Sequence, residues 1–215
     1  MRGLVARLSV VGCAAEPRTD NPRMKKLMLK TWLVLVALPL GAFASHFPFF
    51  EPLDPPRAVQ VMQHRGASGQ APENTRPALV RCIQDGFEWV EVDVRLSRDG
   101  RHVLGHDPKL DRLGREGTSV KDLNLEELET LDAGGWFAQR YQGERLLTLR
   151  DALELAKGKI NLYLDCKDVD LALLAREILE AGMEKQVVVY ENPERLRALR
   201  AIAENKIARS GRAHV

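Results

Sequence analysis

The sequence predicts an α/β fold built on a parallel sheet, and three observations carry the prediction. Short β-branched runs alternate with amphipathic helical patterns from about Ala58 to about Glu204, as parallel strand–helix units do. The helical patterns are bounded by capping residues at one end and glycines at the other. Polar clusters then recur at or near the C-terminal ends of the strands: His64-Arg65-Gly66, Glu91-Val92-Asp93 and His106-Asp107. Parallel α/β barrels build their sites at that end. One cluster could arise by chance; three argue for one shared site.

Ser45 to Arg57 is rich in Pro and aromatic residues and reads as an extended lead-in. Ala58–Gln63 is a first strand ending at His64. Asn74 or Thr75 can cap a helix that runs to about Asp85, with Pro77 in its first turn and Gly86 as its stop. Glu88–Leu96 is a second strand, whose alternation points Glu91, Asp93 and Arg95 one way and Val90, Val92 and Val94 the other. Arg98-Asp99-Gly100 is a tight turn into a third strand, His102–Gly105. That connection is too short for a crossover helix, so a parallel third strand would need an extended return. Lys109 to Gly143 is a long excursion with a short helix, Leu125–Thr130, capped by Asn124. Thr148 caps a helix over Leu149–Ala156, which Gly158 ends. Lys159–Asp165 is a fourth strand, Leu171–Ala181 an amphipathic helix ending at Gly182, and Gln186–Tyr190 a fifth strand. Pro193 opens a last helix to about Glu204.

The chain has 215 residues, of which 45% are hydrophobic and 29% charged, an ordinary balance for one globular domain. The formal charge of +2 is set by the N-terminus. Residues 1–44 carry seven Lys/Arg and two acids, leaving 25 Lys/Arg against 28 Asp/Glu in residues 45–215, a formal −3. That slightly acidic body excludes a nucleic-acid surface as the expectation. Residues 24–44 read as a secretory signal: a basic run from Met24 to Lys30, an apolar run from Thr31 to Gly41, and Ala42-Phe43-Ala44 before Ser45. The apolar run is short for a membrane span of about 20 residues. The expected location is therefore periplasmic or secreted, with no stable span after cleavage. Residues 1–23 precede this signal and read as an over-extended start. Cys13, Cys82 and Cys166 do not form a disulfide framework, and buried free thiols are expected.

Glu91 and Asp93 stand at i, i+2 on one strand and so point to one side. Two carboxylates aimed into a barrel are costly unless a cation neutralises them. A hard divalent metal, Mg²⁺ or Ca²⁺, suits oxygen ligands, and Asp165 on a neighbouring strand can supply a third. Taken alone, the pair reads sooner as a solvated strand face, or as partners of Arg65 or Arg95, than as a metal site. His64 and His106 change that balance. Phosphodiester hydrolysis needs one group to deprotonate a nucleophile and another to protonate the leaving alkoxide, and histidine does either near neutral pH. Arg65 offers a planar fork for phosphate oxygens and Lys167 a point charge. His46 and His102 read as ordinary structural histidines, His102 because it begins a strand.

The string His64-Arg65-Gly66, Pro72-Glu73-Asn74-Thr75, Glu91-Val92-Asp93-Val94, Asp99-Gly100 and His106-Asp107, in this order, resembles the glycerophosphodiester phosphodiesterase family. Asp122-Leu123, Glu126-Glu127-Leu128 and Thr148-Leu149 also fit its pattern. The resemblance runs from about Val59 to about Tyr190, and the whole string is far more specific than its pieces. It implies a TIM (β/α)8-type barrel and metal-dependent hydrolysis of small glycerophosphodiesters to glycerol 3-phosphate and an alcohol. It also implies His64 and His106 as general acid and base, and Glu91 and Asp93 as metal ligands. The third acidic ligand, usually Glu in an E-x-K motif, falls at Asp165, two residues before Lys167. Glu73 and Arg65 match positions near metal and phosphate. The attacking group implied is the substrate's own glycerol hydroxyl, through a cyclic phosphate.

A full barrel needs eight strands and typically about 250 residues. The pattern yields about five, with Lys206–Val215 lying where a sixth should form. The expectation is a barrel truncated after about five strands, marginally stable when alone. Two alternatives accompany the enzyme reading: an inactive remnant of such an enzyme, and a phospholipase-type phosphodiesterase on the same barrel. The second ranks lower because Lys109–Gly143 holds no long apolar insertion for a lipid surface. The sequence gives no sign of oligomeric state.

Overall fold

The computed structural model describes residues 60–209. The signal segment, the lead-in, Cys13, His46 and the first two residues of the expected first strand lie outside these residues.

Strand β2 (Trp89–Leu96) organises the sheet. Its sequence alternates Val with polar residues, so one face is apolar and the other carries Glu91, Asp93 and Arg95. β1 (Met62–Gln63) pairs parallel with its first residues, and β6 (Asn161–Cys166) pairs parallel along most of its length. β7 (Val187–Tyr190) adds to β6, and β8 (Ala208–Arg209) adds to β7, again in parallel. The order β1-β2-β6-β7-β8 is that of a sheet wound through successive helices.

Helices cover the valine face. They are α1 (Arg76–Gln84), α3 (Leu149–Ala156), α4 (Leu171–Ala181) and α5 (Pro193–Ile202). Val90, Val92, Val94, Leu162 and Leu164 pack there against Leu79, Leu153, Ile178 and Leu199. Truncating any of these fully buried side chains to Ala removes about 2–5 kcal/mol. The caps work as their sequences imply. Thr148 accepts the Asp151 N–H, Asp170 the Leu173 N–H and Asn192 the Arg195 N–H. Gly182 closes α4 in the left-handed region at φ +63°, a conformation that favours glycine.

In three places the structure goes beyond the sequence reading. The third strand, β3 (His102–Leu104), is antiparallel to β2, with Val94 opposite Leu104 and Leu96 opposite His102. The turn is only long enough for a hairpin, and the hairpin forms. A strand does follow Lys206, because Ala208–Arg209 joins β7; two residues are too few to show a period in sequence. The long excursion also contains an unexpected hairpin, β4 (Lys109–Leu110) with β5 (Arg115–Ser119), before the short helix α2 (Leu125–Leu128). Val103, Leu110, Val120, Leu128 and Leu131 form a separate small core beneath it. Cys82 and Cys166 are buried free thiols. Among the described residues no helix is long and apolar enough to cross a membrane.

Candidate active site at the ends of the parallel strands

Register brings the carboxylates together. Asp93 on β2 lies directly opposite Asp165 on β6, and Glu91 lies two residues before Asp93 on the same face. One oxygen from each of Glu91, Asp93 and Asp165 can be chosen so that all lie within 4.8 Å of one another. Glu91 and Asp93 are buried and Asp165 is half-buried. Burial, with Asp93 and Asp165 nearby, pushes the Glu91 carboxyl up to about 7 against the pull of the Arg65 N–H. The converging donors are all carboxylate oxygens, which fits a hard divalent cation held by Glu91, Asp93 and Asp165.

Two cations already border the cluster. Lys167 Nζ lies 2.6 Å from Asp165 Oδ2 and 3.3 Å from Asp93 Oδ1. Burial pulls the lysine pKa down, but Asp165 and Asp93 together outweigh it and hold it above its usual value. Arg65 Nε lies 3.5 Å from Asp93 Oδ2, buried and without a hydrogen-bond partner among the described residues.

The loop after β1 is shaped to deliver these groups. Arg65 and Gly66 both take positive φ, +56° and +83°. That turn aims the Arg65 N–H at Glu91 Oε2, 2.7 Å away. A side chain at Gly66 would place its Cβ 2.6 Å from that of Ala78 in α1, so only glycine lets the loop lie this close. Glu73 meets Arg65 Nη1 at 3.2 Å and Arg112 Nη2 at 2.6 Å. Its carboxylate holds these arginines and stands outside the group of converging ligand atoms.

The histidines differ in setting. His64 is 71% exposed, with Nε2 3.9 Å from Glu91 Oε2. His106 follows β3 out of its pairing with β2. The Gly105 N–H donates to the Asp93 carbonyl at 3.0 Å, and Arg95 Nε donates to the His106 carbonyl at 3.0 Å. His106 Nδ1 lies 2.8 Å from Asp107 Oδ1. A cavity beside it is lined by Glu73, Asn74, His106, Asp107 and Arg112, among others. His102 also lies towards the C-terminal end of β2, contrary to the expectation, because β3 is antiparallel. Its ring stays out of the site because it is buried on Glu177 of α4, with Nδ1 2.7 Å from Oε2.

Sequence reasoning gave Asn74 no role beyond a candidate helix cap and a place in the family string, offered Arg95 as a possible partner of the carboxylates, and passed over Arg112. Asn74 is buried and holds Asp93, while Thr75 is the residue that precedes α1. The signal for Asn74 was its place in Pro72-Glu73-Asn74-Thr75. Arg112 had none beyond a charge in a loop.

A sequence model described as the glycerophosphoryl diester phosphodiesterase family matches residues 64–205. The chain belongs to that family. Its described residues are accordingly those of a TIM-barrel fold, consistent with the run of parallel pairings. Two relatives are named glycerophosphodiester phosphodiesterase. One, from Caldanaerobacter subterraneus, is 37% identical over 128 residues, covering 60% of this chain and 50% of the relative. The other, from Bacillus subtilis, is 33% identical over 138 residues, covering 60% and 47%. The chain thus spans about half the length of the curated relatives it matches. A crystal structure of the Agrobacterium tumefaciens glycerophosphodiester phosphodiesterase superposes with a TM-score of 0.65 at 35% identity, covering 70% of this chain and 65% of that one. An Oleispira antarctica phosphodiesterase in complex with the product sn-glycerol-3-phosphate superposes at 0.58 and 36% identity, covering 70% and 64%.

Proposed function

We propose that this chain hydrolyses glycerophosphodiesters to glycerol 3-phosphate and an alcohol, with Mg²⁺ or Ca²⁺ held by Glu91, Asp93 and Asp165. The observation that carries the reading is the convergence of those carboxylates at one sheet face, bordered by Lys167 and Arg65. The product bound by the Oleispira antarctica relative supports glycerol 3-phosphate as the common product. Bound among the carboxylates, a divalent cation contributes positive charge to the phosphate.

The chain's own groups do the rest. Lys167 and Arg65 attract phosphate oxygens and favour the added negative charge of the transition state. His64 and His106 divide the proton transfers: one removes the proton from the attacking glycerol hydroxyl and the other protonates the departing alkoxide, which leaves a cyclic phosphate that one water then opens to glycerol 3-phosphate. His106, with Nδ1 turned to Asp107, offers Nε2 for this exchange. No serine or cysteine nucleophile is required, and Cys82 and Cys166 are buried with their thiol pKa values raised.

The test is release of glycerol 3-phosphate from glycerophosphocholine by the full chain with Mg²⁺, with Ca²⁺ and with EDTA. Release that EDTA abolishes is expected; no release with either metal refutes the reading. Residues 24–44 support export to the periplasm or beyond, and N-terminal sequencing of exported protein should begin at Ser45.

A further inference from the structure

Arg112 lies between β4 and β5, away from the strands that carry the carboxylates, yet it reaches the rim of the site. Its Nη2 lies 2.6 Å from Glu73 Oε1 and 3.2 Å from Asp107 Oδ2. Its Cζ stands 4.3 Å from the centroid of the Trp136 ring, so the guanidinium plane is held from below as well. The other oxygen of Asp107 faces His106 Nδ1 at 2.8 Å. Trp136, Arg112, Asp107 and His106 therefore form one continuous chain of contacts ending on an imidazole.

The geometry points to Arg112 as a positioning residue, which fixes Asp107 and through it the orientation and tautomer of His106. The inference rests on the reading of His106 as an acid–base group. Asp107 is 49% exposed, and nothing but Arg112 and His106 holds its carboxylate among the side-chain contacts of the described residues. Released from Arg112, Asp107 can turn to water. An unrestrained neutral imidazole then shares its proton between both nitrogens, and Nε2 no longer stands free to accept one. A group that fixes the tautomer of a catalytic histidine acts on turnover more than on substrate binding. Arginine suits the task because its planar head stacks on Trp136 while one nitrogen bridges two carboxylates.

The experiment uses the full chain carrying ¹⁵N-labelled histidine, with the His106 signals assigned by their loss in His106→Asn. In the parent, the neutral form should show its proton on Nδ1. Arg112→Met should shift the population towards the Nε2-protonated form and lower kcat on glycerophosphocholine roughly 10–100-fold with KM little changed. Unchanged ring-nitrogen shifts overturn the inference, as does a shifted tautomer with unchanged kcat. Arg112→Gln keeps a planar head without the charge and carries the same criteria where Met disrupts folding. If the parent itself hydrolyses nothing, the proposed function fails, while the nitrogen shifts still judge the role of Arg112 independently.

Discussion

The side-chain amide of Asn74 grips Asp93 twice: Nδ2 donates to Oδ2 at 2.9 Å, and Oδ1 accepts the Asp93 backbone N–H at 3.0 Å. The grip fixes both the rotamer of a metal-ligand candidate and the strand beneath it. Asn74 does so from the left-handed region, at φ +57°, which asparagine tolerates better than most residues. Asn74→Ala removes both bonds and strains the backbone, at an expected cost of about 2–4 kcal/mol. Asn74→Gly relieves the strain and keeps only the loss of the bonds. Urea unfolding should rank parent above Gly above Ala. Metal-linked stabilisation should fall in both variants; an unchanged metal response would show that Asp93 needs no outside support.

The Glu91 carboxyl sets a pH dependence whose sign follows from its raised pKa. The group holds its proton up to about pH 7 when folded, against 4.5 for the ordinary carboxyl. The folded chain therefore binds the extra proton between those values. The stability from this group is complete below about pH 4.5 and is lost as pH rises through about 7, on the order of 3 kcal/mol in all. A divalent cation reverses the trend, since it favours the ionised form. Melting temperature in EDTA should fall from pH 5 to pH 7.5, and the added stability from Mg²⁺ or Ca²⁺ should widen over the same range. Parallel curves with and without metal would count against a Glu91 ligand. Glu91→Gln should flatten both.

Two helices were readable to the residue. Leu149–Ala156 and Leu171–Ala181 carry their own start and stop signals in Thr148, Asp170 and Gly182, which act within one turn. The pairing of Glu91 with Asp93 was equally legible, because a period of two is local. What lay beyond the sequence was register and direction. Nothing local places Asp93 opposite Asp165, seventy-two residues away by their numbers, since the sheet sets that match. The direction of β3 depended on a turn too short for the alternative. β5 reads Arg-Glu-Gly-Thr-Ser, with no apolar alternation, so hydrogen bonding to β4 defines it where period cannot. Arg112 escaped for the same reason: its partners Glu73, Asp107 and Trp136 converge only after the hairpin forms.

The histidines separate by burial into groups with opposite behaviour. His102 is buried, and its Nε2 accepts the Asp170 N–H at 3.2 Å, so its proton sits on Nδ1 and is donated to Glu177. That pair ties β3 to α4. His102→Ala leaves the Glu177 carboxylate buried without this partner and should cost about 3–5 kcal/mol in chemical unfolding. His64 and His106 are 71% and 35% exposed. Their Ala variants should keep nearly the parent stability while losing about 10²–10⁴-fold in turnover. Full activity in either variant would remove that histidine from the mechanism.

Gly66 offers a test of whether the His64-Arg65 turn depends on its contact with α1. Alanine there must adopt φ +83° and meet Ala78 Cβ at 2.6 Å and the Ala78 carbonyl carbon at 3.1 Å. Neither neighbour is a flexible side-chain end, so the loop itself must move, at about 1–3 kcal/mol for strain and a similar amount for the clash. The movement also draws the Arg65 N–H away from Glu91, so turnover should fall together with stability. Ala78→Gly in the same chain removes the nearer clash and leaves the backbone strain. Alone, that change costs about 1 kcal/mol of helix stability. Added to Gly66→Ala, it should cost less than that or restore stability, and the difference measures the contact. Strict additivity would mean that strain at position 66, and not its approach to α1, reserves the place for glycine.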